Sequence, residues 1–208
     1  MKSICYISQA NSWRRLNGGM QRDLKLLDFL AQNFSLKFVY LGSLDARDTS
    51  ALAKMSLDLE IHAIGTGSEK STKDWISRFQ VQKPEVRDAD AYIIRGAESS
   101  FMVDALPEGS KTFLDSLDLV SERRQGEDSA ERSLAFLTRE QEIEIFSRFT
   151  QVICIQEDEA DLASQWIGRE RVVTAKHPVE PTTKLPRGHR NRIGMVASNW
   201  PPNAYGLR

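Results

Sequence analysis

The sequence predicts a doubly wound α/β fold, a mostly parallel sheet with helices on both faces. Short apolar runs recur seven times along the chain, and most are closed by a glycine or a polar turn. Between them lie stretches whose apolar residues step by three and four, the period of a helix face. Strands that alternate with helices in this way build parallel βαβ units rather than an antiparallel sandwich.

The first unit organises the rest. Ile4, Cys5, Tyr6 and Ile7 read as a strand, followed by a polar loop carrying Ser8, Gln9, Asn11, Arg14, Arg15 and Asn17. Gly18 and Gly19 come next, where backbone can approach a ligand closely because neither has a Cβ. Met20, Leu24, Leu27, Ala31 and Phe34 then mark one face of a long helix. A strand, a glycine turn and a helix N-terminus together make an anion site, or equally a tight turn with no ligand. The spacing is not the dinucleotide G-x-G-x-x-G pattern.

Leu36 to Leu41 reads as the second strand, ended by Gly42, and residues 45–57 are weakly helical. Leu59 to Ile64 is a third strand. Ser71 to Val81 follows as a helix with Trp75, Ile76 and Phe79 on one face. Ala91 to Ile94 is a fourth strand, closed by Arg95 and Gly96, and a fifth lies within Lys111 to Leu117. Residues 122–132 are charged and nearly free of apolar side chains, which reads as a loop or a solvated helix edge. Thr138 with Gln141 makes a capping-box pattern ahead of Ile143, Phe146 and Phe149. Gln151 to Ile155 is a sixth strand. Glu157, Asp158 and Glu159 open a helix whose face carries Ala160, Ala163, Trp166 and Ile167, and Arg171 to Ala175 is a seventh strand.

From His177 the texture changes to Pro178, Pro181 and Pro186 with no apolar period, as in a linker. Residues 192–197 then start a new strand and 198–206 a new turn. The expected division is a domain over 1–180, a linker over 181–191, and the truncated start of a second domain over 192–208.

Composition limits the function classes. Of 208 residues, 40% are hydrophobic and 27% charged, ordinary for a globular protein. A net charge of -1 argues against a nucleic-acid footprint. No apolar run reaches the roughly 18 residues of a membrane span, and the start is too short for a secretory signal. Cys5 and Cys154 each sit in an apolar run and read as buried, reduced thiols, which points to the cytoplasm. Three scattered histidines and two cysteines offer no metal-ligand spacing, and no cofactor is implied.

Ligands on doubly wound sheets bind at the carboxyl ends of the strands, where the strand order reverses. That rule selects Ser8 to Gly19, Arg95 to Ser99, Asp115 to Arg123, and Gln156. Asp115 could orient hydroxyls or act as a base, or cap the next helix, as could Asp118. Arg95 reads as a substrate or phosphate contact, or as the ion-pair partner of Glu98. The loop arginines are either ligand contacts or solvated. His177 before Pro178 reads as structural.

In this order the features resemble the N-terminal half of a GT-B glycosyltransferase of the group called family 4, or glycosyl transferases group 1. The resemblance rests on Gly18-Gly19 after the first strand and on Asp115-Ser116-Leu117-Asp118 after the fifth. It continues through Val152 to Gln156 leading into Glu159, then Ile193 to Ser198, and ends at Pro202-Asn203 with Gly206. Ala197 stands where a glycine is usual, and Leu117 where many relatives place a histidine. The family's donor-binding basic pair and Glu-x7-Glu motif would fall beyond residue 208.

The resemblance implies a Rossmann-like acceptor-side domain and transfer of a sugar from a nucleotide-sugar donor to an acceptor hydroxyl of a sugar or glycan. It implies Gly18 and Gly19 at the donor phosphates, helped by Arg14 or Arg15, while the position of the strand ends and the first loop makes Asp115 the candidate catalytic residue and Arg14, Arg15, Asn17, Arg95, Asp118 and Arg123 the candidate acceptor or substrate contacts. Peripheral membrane contact is compatible with it. The competing expectation is a non-catalytic sugar- or nucleotide-binding module of the same fold. In either case this stretch alone is expected to be inactive in transfer.

Overall fold

The computed structural model describes residues 1–14, 18–55, 59–65, 71–82, 88–122 and 137–177. Seven strands form one sheet: β1 (Ser3–Ser8), β2 (Ser35–Tyr40), β3 (Glu60–Ala63), β4 (Ala91–Arg95), β5 (Thr112–Asp115), β6 (Gln151–Cys154) and β7 (Val172–Thr174). Their order is β3-β2-β1-β4-β5-β6-β7, and every neighbouring pair is parallel. The expected doubly wound sheet therefore forms, with its order reversing between β1 and β4.

Among the described residues five α-helices flank the sheet: α1 (Gly18–Asn33), α2 (Ala46–Leu52), α3 (Thr72–Gln82), α4 (Arg139–Ser147) and α5 (Glu157–Ile167). β1 shows why both faces must be covered. Ile4 and Tyr6 enter one core and Cys5 and Ile7 the other, and all four are buried. A strand buried on both sides reads as a continuous apolar run, which is how β1 appears in the sequence. The first core takes Leu27 and Leu30 of α1, with Ala51 and Leu52 of α2 packed against it. The second takes Phe79 of α3, Phe146 of α4, and Ala160, Ala163 and Ile167 of α5. Each fully buried Leu, Ile or Phe contributes about 1.5–3 kcal/mol.

Cys5 and Cys154 are buried free thiols on β1 and β6, two strands apart from one another across β4 and β5. Burial pushes both thiols up to about 12. The capping box at Thr138 also forms: the Gln141 amide donates to Thr138 Oγ1 and the Thr138 amide to Gln141 Oε1.

Two expectations are corrected. Gly18 and Gly19 are the first residues of α1 rather than a turn ahead of it, and neither has positive φ. The buried face of α1 carries Leu24, Leu27 and Leu30 together with Arg22 and Asp23, while Met20, Ala31 and Phe34 are only half-buried. A further segment carries no apolar period and was not anticipated: Ala97–Ala105 runs as a 3-10 helix between β4 and β5, entered through Gly96 at φ 77. That left-handed φ is the conformation for which this turn calls on glycine. The expected linker over 181–191 and second domain start over 192–208 lie outside the described residues, as do Arg15, Asn17 and Arg123.

Among the described residues no helix is long and apolar enough to cross a membrane.

Candidate functional site at the strand-order reversal

The reversal between β1 and β4 marks the carboxyl-edge position where doubly wound sheets form their ligand crevice. Arg95 ends β4 and Asp115 ends β5, and they are register partners. Neither pairs with the other. Both are claimed by two consecutive residues of α1.

Arg22 donates from Nη1 and Nη2 to the two carboxylate oxygens of Asp115 at 2.8 and 2.7 Å. The side chains are 3% and 0% exposed. Tyr6, beneath them on β1, donates its hydroxyl to Asp115 Oδ2 at a long 3.4 Å. Burial and then the nearby Asp115 and Asp23 carboxylates hold the Tyr6 phenol well above its ordinary range, so it remains a donor. Arg22 Nη2 also reaches the carbonyl of Ala175, just after β7, at 3.4 Å. Burial opposes the Arg22 charge, but the bonds to Asp115 more than offset it.

Asp23 serves the other strand end. Its Oδ2 accepts from Arg95 Nε at 2.9 Å and from Ser12 Oγ at 2.6 Å. Burial raises the Asp23 carboxyl above its ordinary value, with Arg95 and Ser12 pulling against that. Arg95 Nη1 is shared with Glu98 at 3.1 Å, whereas Nη2 has no acceptor among the described residues. Among the described residues three buried polar atoms here also have no hydrogen-bond partner: Asp23 Oδ1, Arg22 Nε and Ser99 Oγ. Buried polar groups are overwhelmingly satisfied in folded proteins, so their clustering at one strand edge is unusual.

The first turn of α1 faces the same edge. It contains no acidic residue, whereas α2, α3, α4 and α5 all carry acids in theirs. The positive end of this helix therefore has no acidic side chain within its own first turn. A Cβ at Gly18 would meet nothing within 4 Å, so there is room for a ligand against the backbone. His177 Nε2 lies 3.1 Å from the Gly18 carbonyl, bringing the segment after β7 over this turn.

The loop between β1 and α1 is braced from the side of α2. Trp13 Nε1 and Arg14 Nε both donate to Asp48 Oδ1, at 2.7 and 2.6 Å, and Arg14 Nη2 donates to Asp45 at 2.8 Å. Arg14 foremost, then the Asp45 amide and Trp13, hold the Asp48 carboxyl below its ordinary range against its burial.

The structure thus brings Gly18, Gly19, Arg95 and Asp115 to one crevice, and ties Arg14 to α2 instead of leaving it solvated. Arg95 does pair with Glu98, but its buried partner is Asp23. Asp118 lies half-buried in the bend after β5, where Ser116 Oγ donates to its carbonyl. The bend is fixed by buried Glu142 of α4, which accepts from the Val120 and Ser121 amides at 2.7 and 3.0 Å and from Ser121 Oγ at 2.6 Å. Asp115, expected to offer a carboxylate, is fully buried with both oxygens on Arg22. Arg22, Asp23 and Glu142 were not singled out in the sequence. The available signal was Asp23 in helical step with Leu27 and Leu30, a charge on a core-facing stripe. Among the described residues no cluster of His, Cys, Asp and Glu could hold a metal ion.

No protein-family model and no curated protein matches this chain. Solved structures do. A UDP-N-acetylglucosamine 2-epimerase from Rickettsia bellii is similar at TM-score 0.53 and 13% identity, over 85% of this chain and 45% of that one. The UDP-GlcNAc 2-epimerase from Neisseria meningitidis, bound to UDP-GlcNAc, gives TM-score 0.54 and 11% identity over 85% and 47%. A UDP-glucosyltransferase from Polygonum tinctorium gives TM-score 0.50 and 10% identity over 91% and 55%. This chain spans about half the length of each of those chains. It has the Rossmann-like α/β fold of one half of these GT-B-like enzymes.

Proposed function

We propose that this chain is the acceptor-side half of an enzyme acting on nucleotide sugars, and more finely of a glycosyltransferase moving a sugar from its nucleotide carrier to an acceptor hydroxyl. The single observation that carries this reading is the acid-free, glycine-opened first turn of α1 facing the crevice where the strand order reverses. The neighbours' work on UDP-sugars supports the same substrate class.

Transfer requires a leaving diphosphate to be stabilised and an acceptor hydroxyl to be held in line. In this reading the Gly18 and Gly19 amides face the donor diphosphate, and such fixed donors contribute a few kcal/mol each as charge develops. Arg95 offers Nη2 to the acceptor or a phosphate, with Asp23 holding its other edge. Asp115 acts as a positioning residue through Arg22, since its carboxylate touches Arg22 and Tyr6 rather than the crevice. Arg15, Asn17, Asp118 and Arg123 complete the proposed substrate contacts, while Arg14 is tied to Asp45 and Asp48. The donor nucleotide would sit mainly on a second domain beginning within residues 192–208, joined by a linker over 181–191.

The burial of Asp115 favours a second reading, a sugar- or nucleotide-binding module of the same fold without the chemistry. Product analysis separates the two. The chain extended by its downstream domain should transfer sugar from a panel of UDP-sugars, and the 208-residue chain should not. An extended protein that binds UDP-sugars and never turns them over would leave the binding module standing.

A further inference from the structure

A second concave site lies beside α2, away from the buried ion pairs. It is a cleft of about 580 Å³ lined by Trp13, Arg47, Ser50, Ala51, Lys54 and Met55, with Ala46 at its edge. That volume is within the roughly 300–1,000 Å³ of small-molecule sites. Residues 47, 50 and 51 fall at i, i+3 and i+4 of α2 and share one face, and Lys54 follows in the turn after the helix.

The charges of this face are uneven. Asp45 accepts from the Arg47 and Asp48 amides and from Arg14, and Asp48 accepts from Trp13, Arg14 and the Asp45 amide. Both acids are consumed by the helix cap and by Arg14. Arg47 and Lys54 have no acidic partner among the described residues, and both open into the cleft. Most other cations near an acid are spoken for, as with Arg14, Arg22, Arg95, Arg139, Arg148 and Lys176.

The back wall is apolar and rigid. Trp13 is 5% exposed, bonded to Asp48, and set edge-on against Phe38 and Tyr40 with ring centroids at 5.9 and 4.9 Å. Ala51 and Met55 extend that wall. Two uncompensated cations and a hydroxyl facing a fixed aromatic and aliphatic wall suit a ring with an apolar C–H face and an anionic substituent.

We propose that this cleft binds an anionic sugar, a sugar ring bearing a phosphate or a carboxylate. The identification of the ring as a sugar rests on the proposed function above; the anionic requirement rests on the cleft itself. It makes the acceptor of this protein a charged one. Trp13, which lines the cleft, comes just before α1 in the chain.

The test is a ligand-observed NMR titration of the 208-residue chain with glucose 6-phosphate, glucuronate, glucose and inorganic phosphate. Glucose 6-phosphate and glucuronate should bind about tenfold more tightly than glucose or phosphate, a difference of about 1.4 kcal/mol. The double variant R47Q/K54Q should lose that preference, and added salt should weaken it. Both side chains are exposed, so the variant should fold, with circular dichroism as the check. S50E, which places a negative charge between the two cations, should abolish binding independently. The proposal is overturned if glucose binds as well as its phosphate, if inorganic phosphate alone accounts for the affinity, if R47Q/K54Q binds unchanged, or if no anionic sugar binds. The transfer assay tests the nucleotide-sugar reading separately, since anionic sugars can bind here with no transfer.

Discussion

Replacing Arg22 by methionine removes one side of the buried ion pair and leaves Asp115 in place. The lost bonds are two charge-assisted contacts of 2.8 and 2.7 Å between side chains that are 3% and 0% exposed. What remains to Asp115 is Tyr6 at 3.4 Å, a poor substitute. Breaking a buried pair from one side costs about 3–5 kcal/mol, chiefly because a charge is left without compensation in a dry site. For a domain of this size that corresponds to a fall in Tm of about 6–20 °C. The double variant R22M/D115V removes both charges and places a β-branched residue at the end of β5. It should regain at least half of the loss, because apolar replacements of buried pairs are often neutral. Urea unfolding of the wild type, both single variants and the double variant closes the cycle. An R22M cost under about 1 kcal/mol, or a double variant as unstable as the sum of the singles, would refute the account of this pair as a mutually dependent unit.

Other outcomes follow from the same geometry. G18A should stabilise the chain by about 0.4–1 kcal/mol, since its Cβ has space and α1 gains a better helix former, yet it should weaken any diphosphate binding several-fold. Thermal melts and titration with UDP check both halves, and unchanged binding would remove Gly18 from the site. Asp48 is held below its ordinary 3.8, first by Arg14, so it contributes stability above that pH which fades as the pH falls through its folded value. D48N should cost about 1.5–3 kcal/mol at neutral pH, with the gap to wild type narrowing below pH about 4; an equal gap at both pH values would contradict this. Cys5 and Cys154, pushed up to about 12 by burial, should resist a thiol reagent in the folded chain and both react on unfolding.

Much of the fold is legible in the sequence because buried parallel strands announce themselves as apolar runs. Ile4 to Ile7, Leu36 to Leu41 and Ala91 to Ile94 needed no tertiary knowledge, and the Thr138 capping box is a local rule that the structure obeys. The site is less legible, for a physical reason. Periodicity counts apolar residues, and α1 buries Arg22 and Asp23 on partners 93 and 72 positions away. No local pattern encodes such a pairing. Gly18, Gly19, Arg95 and Asp115 were found through the rule for strand ends, which says where ligands gather but not which side chains are already spent on one another. Ala97–Ala105 escaped notice because a 3-10 segment has neither the strand period nor the helix period.

Calorimetric titration with UDP-GlcNAc and UDP-glucose, run on the 208-residue chain and on a version carrying the proposed second domain, tests the central claim most directly. In the proposed reading this chain holds only the diphosphate edge of the donor, so it should bind only in the millimolar range, about −4 kcal/mol, and the two-domain version far more tightly. Micromolar binding by the 208-residue chain would place the donor site within these residues and contradict the division of labour proposed for Gly18 and Gly19.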